Sequence, residues 1–285
     1  MSKTLYARHE KATDALAAIS ERTRTVDKVA DTARYKLAGV TVVVTDYSEI
    51  SAAVGVNTHK LLLFGITRFT SQYNKPQGGK YEISFSIEEY MRIIGVNMPQ
   101  DGQQMQRKRN EMQKRLQKEL LLLQAIRFTH IAGEDFESVS PVCRTAAKSG
   151  NITIEFSRPF AEYLLKKPKT IIPPQFFQIS ARNRTAYAIG LKCSEHYYIN
   201  RRRTTQAANK LKVKTLLQNS PLPDYQKVLE GRQGWTRVIR QPLESALNEL
   251  LAIGFLKEWH YEKLNGNSYQ DFSNSFIYFE LAAEK

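Results

Sequence analysis

Apolar residues recur at helical spacing in two separated stretches of the chain. The first runs Met112, Leu116, Leu120, Leu123 and leads into Ala125, Ile126 and Phe128; the second runs Ile239, Leu243, Leu247, Leu250 and leads into Ala252, Ile253 and Phe255. Steps of three and four residues place each set on one stripe of a helix, and the shared Ala-Ile-x-Phe step predicts a change to strand in both. A shorter apolar segment lies upstream of each at nearly the same offset: Ile87, Tyr90 and Met91 in one case, Val213, Leu216 and Leu217 in the other.

Punctuation between these segments fills in the rest. A strand is expected at 40–44, a short helix capped by Asp46 or Ser48, and a helix over 57–72 with Asn57 as its cap. Pro76 and the glycines at 78–79 mark a loop. A strand at 81–85 precedes Ser86-Ile-Glu-Glu, a capping signature that opens a helix through Ile94. A long helix follows over 103–124, then strands near 126–131, 138–143 and 152–156, and a helix over 157–167. The second half reads as a helix over 181–203, short helices over 212–219 and 224–230, the long helix whose regular part starts near Pro242, and a hairpin of 255–261 with 276–281. The polar loop 262–275 is expected to be a wing.

Helix, turn, long helix and β-ribbon is the order of a winged helix-turn-helix. The predicted fold is therefore α+β, two tandem winged helix-turn-helix domains related by internal duplication. The expected boundaries are an N-terminal arm at 1–37, helical in part, a first domain at 38–168, a stiff Pro-containing linker at 169–180 and a second domain at 181–285.

A length of 285 residues suits two domains, and 42% hydrophobic with 25% charged residues describes a soluble globular chain. No apolar run approaches the roughly 20 residues that span a bilayer, and residues 1–24 lack a signal peptide's apolar stretch. With only Cys143 and Cys193, both expected as buried thiols, a reducing cytoplasm is the expected location. Charge changes the picture most: 42 Lys+Arg against 28 Asp+Glu give +14, which attracts polyanions. No basic amphipathic helix with bulky anchors points to a membrane surface.

The basic residues fall where a duplex would meet this fold. On the first long helix Arg107, Lys114 and Lys118 line the side opposite the apolar stripe, flanked by Lys108 and Arg115, and Glu111 is the one acid there. Such a stripe suits phosphate, or a solvated face. Arg144 and Lys148 fall in the expected first wing. In the second half, Arg232, Arg237 and Arg240 alternate with Gln233 and Gln241 at the start of the long helix, where side chains reach base edges; Arg reads guanine and Gln adenine. Thr236 and Ser245 suit phosphate or base. Arg201, Arg202, Lys210, Lys212 and Lys214 are phosphate contacts or solvated charges. Trp235 reads as core.

Catalytic patterns are missing. His9, His59, His130, His196 and His260 are scattered, with no His-x-His pair; there is no phosphate-binding Gly-x-x-x-x-Gly-Lys loop and no pair of Cys-x-x-Cys elements. The stretch 196–201 lacks the other Arg and His residues of a tyrosine recombinase. No catalytic residue, metal site or cofactor is expected, and the chain reads as a non-enzyme.

The residues at this point resemble a known family, the theta-type plasmid replication initiators (Rep proteins) that bind iterons. The stretches that carry the resemblance are Leu211-Lys-Val-Lys-Thr-Leu-Leu, Leu222-Pro-Asp-Tyr, Ile239-Arg-Gln-Pro-Leu-Glu-Ser-Ala-Leu-Asn-Glu-Leu and Gly254-Phe-Leu-Lys-Glu-Trp-His-Tyr, with a looser match over 86–156. The resemblance implies that the C-terminal domain reads repeated origin sites, that the N-terminal domain contacts adjacent DNA and serves a monomer–dimer equilibrium, and that the protein opens an AT-rich segment and recruits host initiator and helicase without hydrolysing ATP. It would assign base reading to Arg237, Arg240 and Gln241, and phosphate contact to Lys114, Arg115 and Lys118. A winged-helix transcriptional regulator and, less so, a nicking or recombining enzyme are the alternatives.

Overall fold

The computed structural model describes residues 5–7, 24–27, 29, 32–37, 40–44, 55–72, 81–132, 135–166, 170–201, 208–264 and 266–282. The chain divides into an N-terminal unit, Leu5–Lys169, and a C-terminal unit, Thr170–Lys285 with Met1–Thr4.

The N-terminal unit contains strands β1 (Leu5–Ala7), β2 (Arg24–Asp27), β3 (Thr32–Leu37) and β4 (Val40–Val44), helix α1 (Val56–Gln72), strand β5 (Glu82–Ser86) and helices α2 (Ile87–Ile93) and α3 (Gly102–Ala125). Strands β6 (Ile126–Ala132), β7 (Asp135–Val139), β8 (Val142–Lys148) and β9 (Asn151–Phe156) and helix α4 (Arg158–Lys166) follow. The Ser86 hydroxyl caps α2 by accepting from Glu89 N at 3.1 Å, as the sequence signature implies. The Asp101 carboxylate caps α3 through Gln103 N. Met112, Leu116, Leu120 and Leu123 are all buried, so the helical stripe read from the sequence is the packing face. They share a core with Phe64 and Phe69 of α1, Ile83 and Phe85 of β5, Ile87, Tyr90 and Met91 of α2, and Ile152, Ile154 and Phe156 of β9. Phe64 meets the Phe85 ring edge-on at 4.8 Å.

Strands β5, β9 and β8 form an antiparallel sheet with β9 in the middle. Ser149 (φ 52°) and Gly150 (φ 79°) close the β8–β9 hairpin. Two successive positive φ values are those of a type I′ turn, which glycine adopts without strain. Helix α2, helix α3 and this sheet make the first winged helix-turn-helix.

Two expectations are corrected here. Residues 24–27 and 32–37 are not part of an arm: they are strands of a five-stranded antiparallel sheet in the order β2-β3-β4-β6-β7. Most of the rest of the expected arm (1–4, 8–23, 28 and 30–31) and the helix expected after Asp46 lie outside the described residues. The strand that leaves α3, β6, also belongs to this sheet, pairing with β4 from Ile126–Val44 to His130–Val40, while the hairpin β8–β9 is the wing at the place expected from 144–150.

The C-terminal unit contains β10 (Thr170–Ile172), a 3-10 turn (Pro174–Gln178), α5 (Arg184–Asn200), β11 (Lys210–Lys212), α6 (Val213–Gln218) and α7 (Tyr225–Glu230). A π-helical turn (Thr236–Arg240) then runs into α8 (Gln241–Ala252), followed by β12 (Leu256–Glu262), α9 (Tyr269–Asn274) and β13 (Phe276–Leu281). The expected linker is part of the packed unit, because Phe176, Phe177 and Ile179 are fully buried. Gly190 of α5 lets α8 approach closely: a Cβ there would sit 3.1 Å from Ile179 and 3.2 Å from Leu250. Pro242 has no N–H to donate, and the turn before it adjusts, with Gln241 N reaching Thr236 O. Leu243, Ala246, Leu247 and Leu250 form the buried face of α8.

The strand order β11-β13-β12 repeats that of β5-β9-β8, and strand, helix, long helix and two-stranded ribbon follow in the same sequence in both units. The two units differ at the ends of their long helices. Helix α8 stops on Gly254 at φ 70°, with Phe255 N bonded to Leu250 O at 2.9 Å, a Schellman-type ending. Helix α3 has no such residue, and Ile126 turns straight into extended backbone.

Candidate nucleic-acid interface

The outer side of α3 carries Arg107, Lys114, Arg115 and Lys118, all exposed. Arg107, Lys114 and Lys118 have no carboxylate partner among the described residues, so their charge faces solvent. Arg115 bonds the Asn57 side-chain oxygen on α1, and Lys108 is half-buried with its ammonium 2.8 Å from Asn97 O; these two are tethered at the margin of the stripe. Behind it, Glu119 accepts from the Thr58 hydroxyl at 2.5 Å. Burial raises the Glu119 carboxyl above its ordinary range, against the lowering pull of the Thr58 hydrogen bond and the Arg115 charge.

Arg109, which the helical stripe leaves unexplained, holds the wing. Its Nε lies 2.7 Å from Glu88 Oε1 on α2, and a Cβ at Gly150 would collide with its guanidinium. The side chain therefore ties helix-turn-helix to wing tip. Arg144 and Lys148 are exposed on β8, with the Lys148–Asn151 pair next to the turn.

In the C-terminal unit, Thr236, Arg237, Gln241 and Ser245 are exposed. Steps of four residues put Arg237, Gln241 and Ser245 on one helix face. Asn248, three residues on, is exposed on the same face. The sequence reading missed it, although the i, i+3 spacing from Ser245 was available. Arg232 is exposed in the turn before the helix at φ 50°.

Arg240 does something other than the sequence reading assigns to it. It is half-buried, its Nε is 2.8 Å from Glu244 Oε1, and its guanidinium lies 5.6 Å from the Tyr261 ring centre and 5.9 Å from that of Phe272. The i, i+4 ion pair and the two rings turn it inward, so it fastens the helix to the ribbon. Lys212 is half-buried at the start of α6. Arg201 is exposed with its guanidinium 4.8 Å over the Tyr198 ring, and Arg202 lies outside the described residues. The expected loop 262–275 contains α9, capped by Ser268 through Asp271 N at 3.1 Å. Phe272 of α9 is buried, and Tyr269 stacks on Tyr225 at 3.7 Å and 3°. Trp235 is half-buried and packs on Phe272 at 5.3 Å.

Cys193 is buried, which pushes its thiol up to about 12. Cys143 is exposed, contrary to expectation: the register of β8 on β9 shifts between Val142 and Arg144, and of these three residues only Val142 is buried. Among the described residues, no group of three or more His, Cys, Asp or Glu is placed to hold a metal, and no helix is long and apolar enough to cross a membrane.

Comparison of the sequence with protein-family models and with curated proteins finds no match. Among solved structures, the crystal structure of the Pi initiator protein in complex with iteron DNA is similar to this chain over 100% of this chain and 99% of that one, with a TM-score of 0.59 and 9% identity. Domains 2 and 3 of RctB align over 94% of this chain and 98% of theirs, with a TM-score of 0.48 and 12% identity. At such identities the first likeness concerns the fold alone, which this chain shares with the Pi initiator protein.

Proposed function

We propose that this protein is a plasmid replication initiator that binds repeated duplex sites at an origin. The observation that carries the reading is the pair of winged helix-turn-helix units in one chain, each presenting the outer face of its long helix to solvent. The likeness to the Pi initiator protein, whose structure contains iteron DNA, supports it. In this reading Arg107, Lys114 and Lys118 of α3, with Arg144 and Lys148 of the wing, hold phosphates and set orientation. Arg237, Gln241 and Ser245 enter the major groove and read bases. Binding strains and opens an adjacent AT-rich tract, and the exposed protein surface recruits the host initiator and helicase in the cytoplasm. Self-association between monomer and dimer regulates the role, and the protein carries out no strand cleavage or nucleotide hydrolysis of its own.

Capture of genomic fragments on the full chain, followed by sequencing, tests the proposal. The expected outcome is a small set of fragments with direct repeats beside an AT-rich tract. Enrichment of single palindromic sites within promoters, with no repeats, would contradict it and identify a transcriptional regulator instead.

A further inference from the structure

The strand behind the recognition helix controls how one of its exposed residues is turned. Trp259 of β12 donates its indole N–H to Asn248 Oδ1 at 3.1 Å. The indole is itself held edge-on against Tyr261, with ring centres 5.6 Å apart, and Trp259 sits in register opposite Phe279 of β13, whose side chain is fully buried. An indole nitrogen can only donate. It therefore fixes which way round the Asn248 amide lies, with the oxygen against the strand and the NH2 on the exposed side. That side is the face shared with Arg237, Gln241 and Ser245.

Asparagine ordinarily reads adenine with both ends of its amide, accepting from N6 and donating to N7. Here the oxygen is engaged and two N–H donors point outward. In the major groove guanine alone offers two adjacent acceptors, N7 and O6; adenine pairs its N7 with a donor, and thymine pairs O4 with a methyl group. We infer that Asn248 is a specificity-determining residue that selects guanine, and that Trp259 is the positioning residue that imposes this choice. The inference rests on the DNA-binding reading above and adds a base identity to it.

The experiment is a set of binding titrations with the full chain on a captured site and on random duplex. Each guanine of the site is replaced in turn by 7-deazaguanine, which lacks the N7 acceptor, and by adenine. For the wild type, one guanine should show a loss of roughly tenfold on either replacement. That loss should vanish in Asn248→Ala. In Trp259→Phe, which keeps an aromatic ring beside Tyr261, the released amide can present its oxygen to adenine N6, and the guanine-over-adenine preference at that position should fall to about threefold or less. Binding to random duplex should be the same in all three proteins, and this also reports that the variants are folded. Penalties at every guanine that are equal in wild type and Asn248→Ala would overturn the inference. So would equal weakening of site and random duplex by Asn248→Ala, which would mark a phosphate contact, or an unchanged preference in Trp259→Phe. In each of these cases a wild type that still prefers the captured site leaves the proposed function standing; a wild type with no preference overturns both.

Discussion

Raising the salt concentration from 50 to 200 mM should lower the affinity of the full chain for duplex DNA by about 10³–10⁵. The size follows from counterion release. Each phosphate neutralised by Lys or Arg frees condensed cations, and about 6–10 such contacts give a loss of that order. The net charge of +14 supplies the excess, and the structure concentrates part of it usefully. Arg107, Lys114 and Lys118 stand on one side of α3, and Arg144 and Lys148 stand on the wing, all exposed. Ion pairs elsewhere, such as Arg158–Glu162 and Lys257–Glu280, consume positive charge without offering it to a ligand. Titration by fluorescence anisotropy across this salt range checks the prediction. A flat response, or no binding at 50 mM salt, is the result that removes the DNA-binding account.

Substitutions on the two long helices should separate affinity from specificity. Arg237→Ala, which removes an exposed guanidinium from the turn that enters α8, should cost about 1–3 kcal/mol on a captured site and much less on scrambled duplex. Lys114→Ala should weaken both DNAs nearly equally and reduce the salt slope by about 1. Arg240→Ala belongs to neither class. Its guanidinium is bound to Glu244 and lies over Tyr261 and Phe272, so its loss should appear first as a lower unfolding midpoint. Paired titrations on cognate and scrambled duplex decide the assignment. If Lys114→Ala relaxes specificity while Arg237→Ala lowers both affinities alike, the roles of the two helices are reversed.

Much of this arrangement was legible in the sequence because it depends on local periodicity. The stripes Met112–Leu116–Leu120–Leu123 and Leu243–Leu247–Leu250 are buried as a 3.6-residue repeat requires, and Ser86 caps α2 as its spacing from Glu89 implies. What stayed hidden depends on distant partners. A β-strand reads the same whichever neighbour it pairs with, so nothing local told β6 to join β4, although the wing tip near Gly150 was legible from its basic, Gly-containing stretch. Phe176 and Phe177 were masked by the prolines around them; those prolines fix a tight turn, and the two rings that follow anchor it in the core. Helix α9 lies in a mostly polar stretch, and its Phe272 is buried beside Tyr269, which stacks on Tyr225. Within the candidate interface, the exposed basic residues of α3 could be read from a helical wheel. The inward turn of Arg240 could be suspected from Glu244 four residues on. The link from Trp259 to Asn248 joins a helix to a strand, and only the folded chain shows it.

Hydroxyl-radical footprinting of the full chain on a captured site shows whether both winged-helix units grip the duplex through their long helices. Two separable protected segments are expected. Lys114→Ala combined with Lys118→Ala should weaken one of them selectively, and Arg237→Ala the other. A single protected segment that responds to Arg237→Ala and is indifferent to the α3 substitutions would contradict a grip by both units.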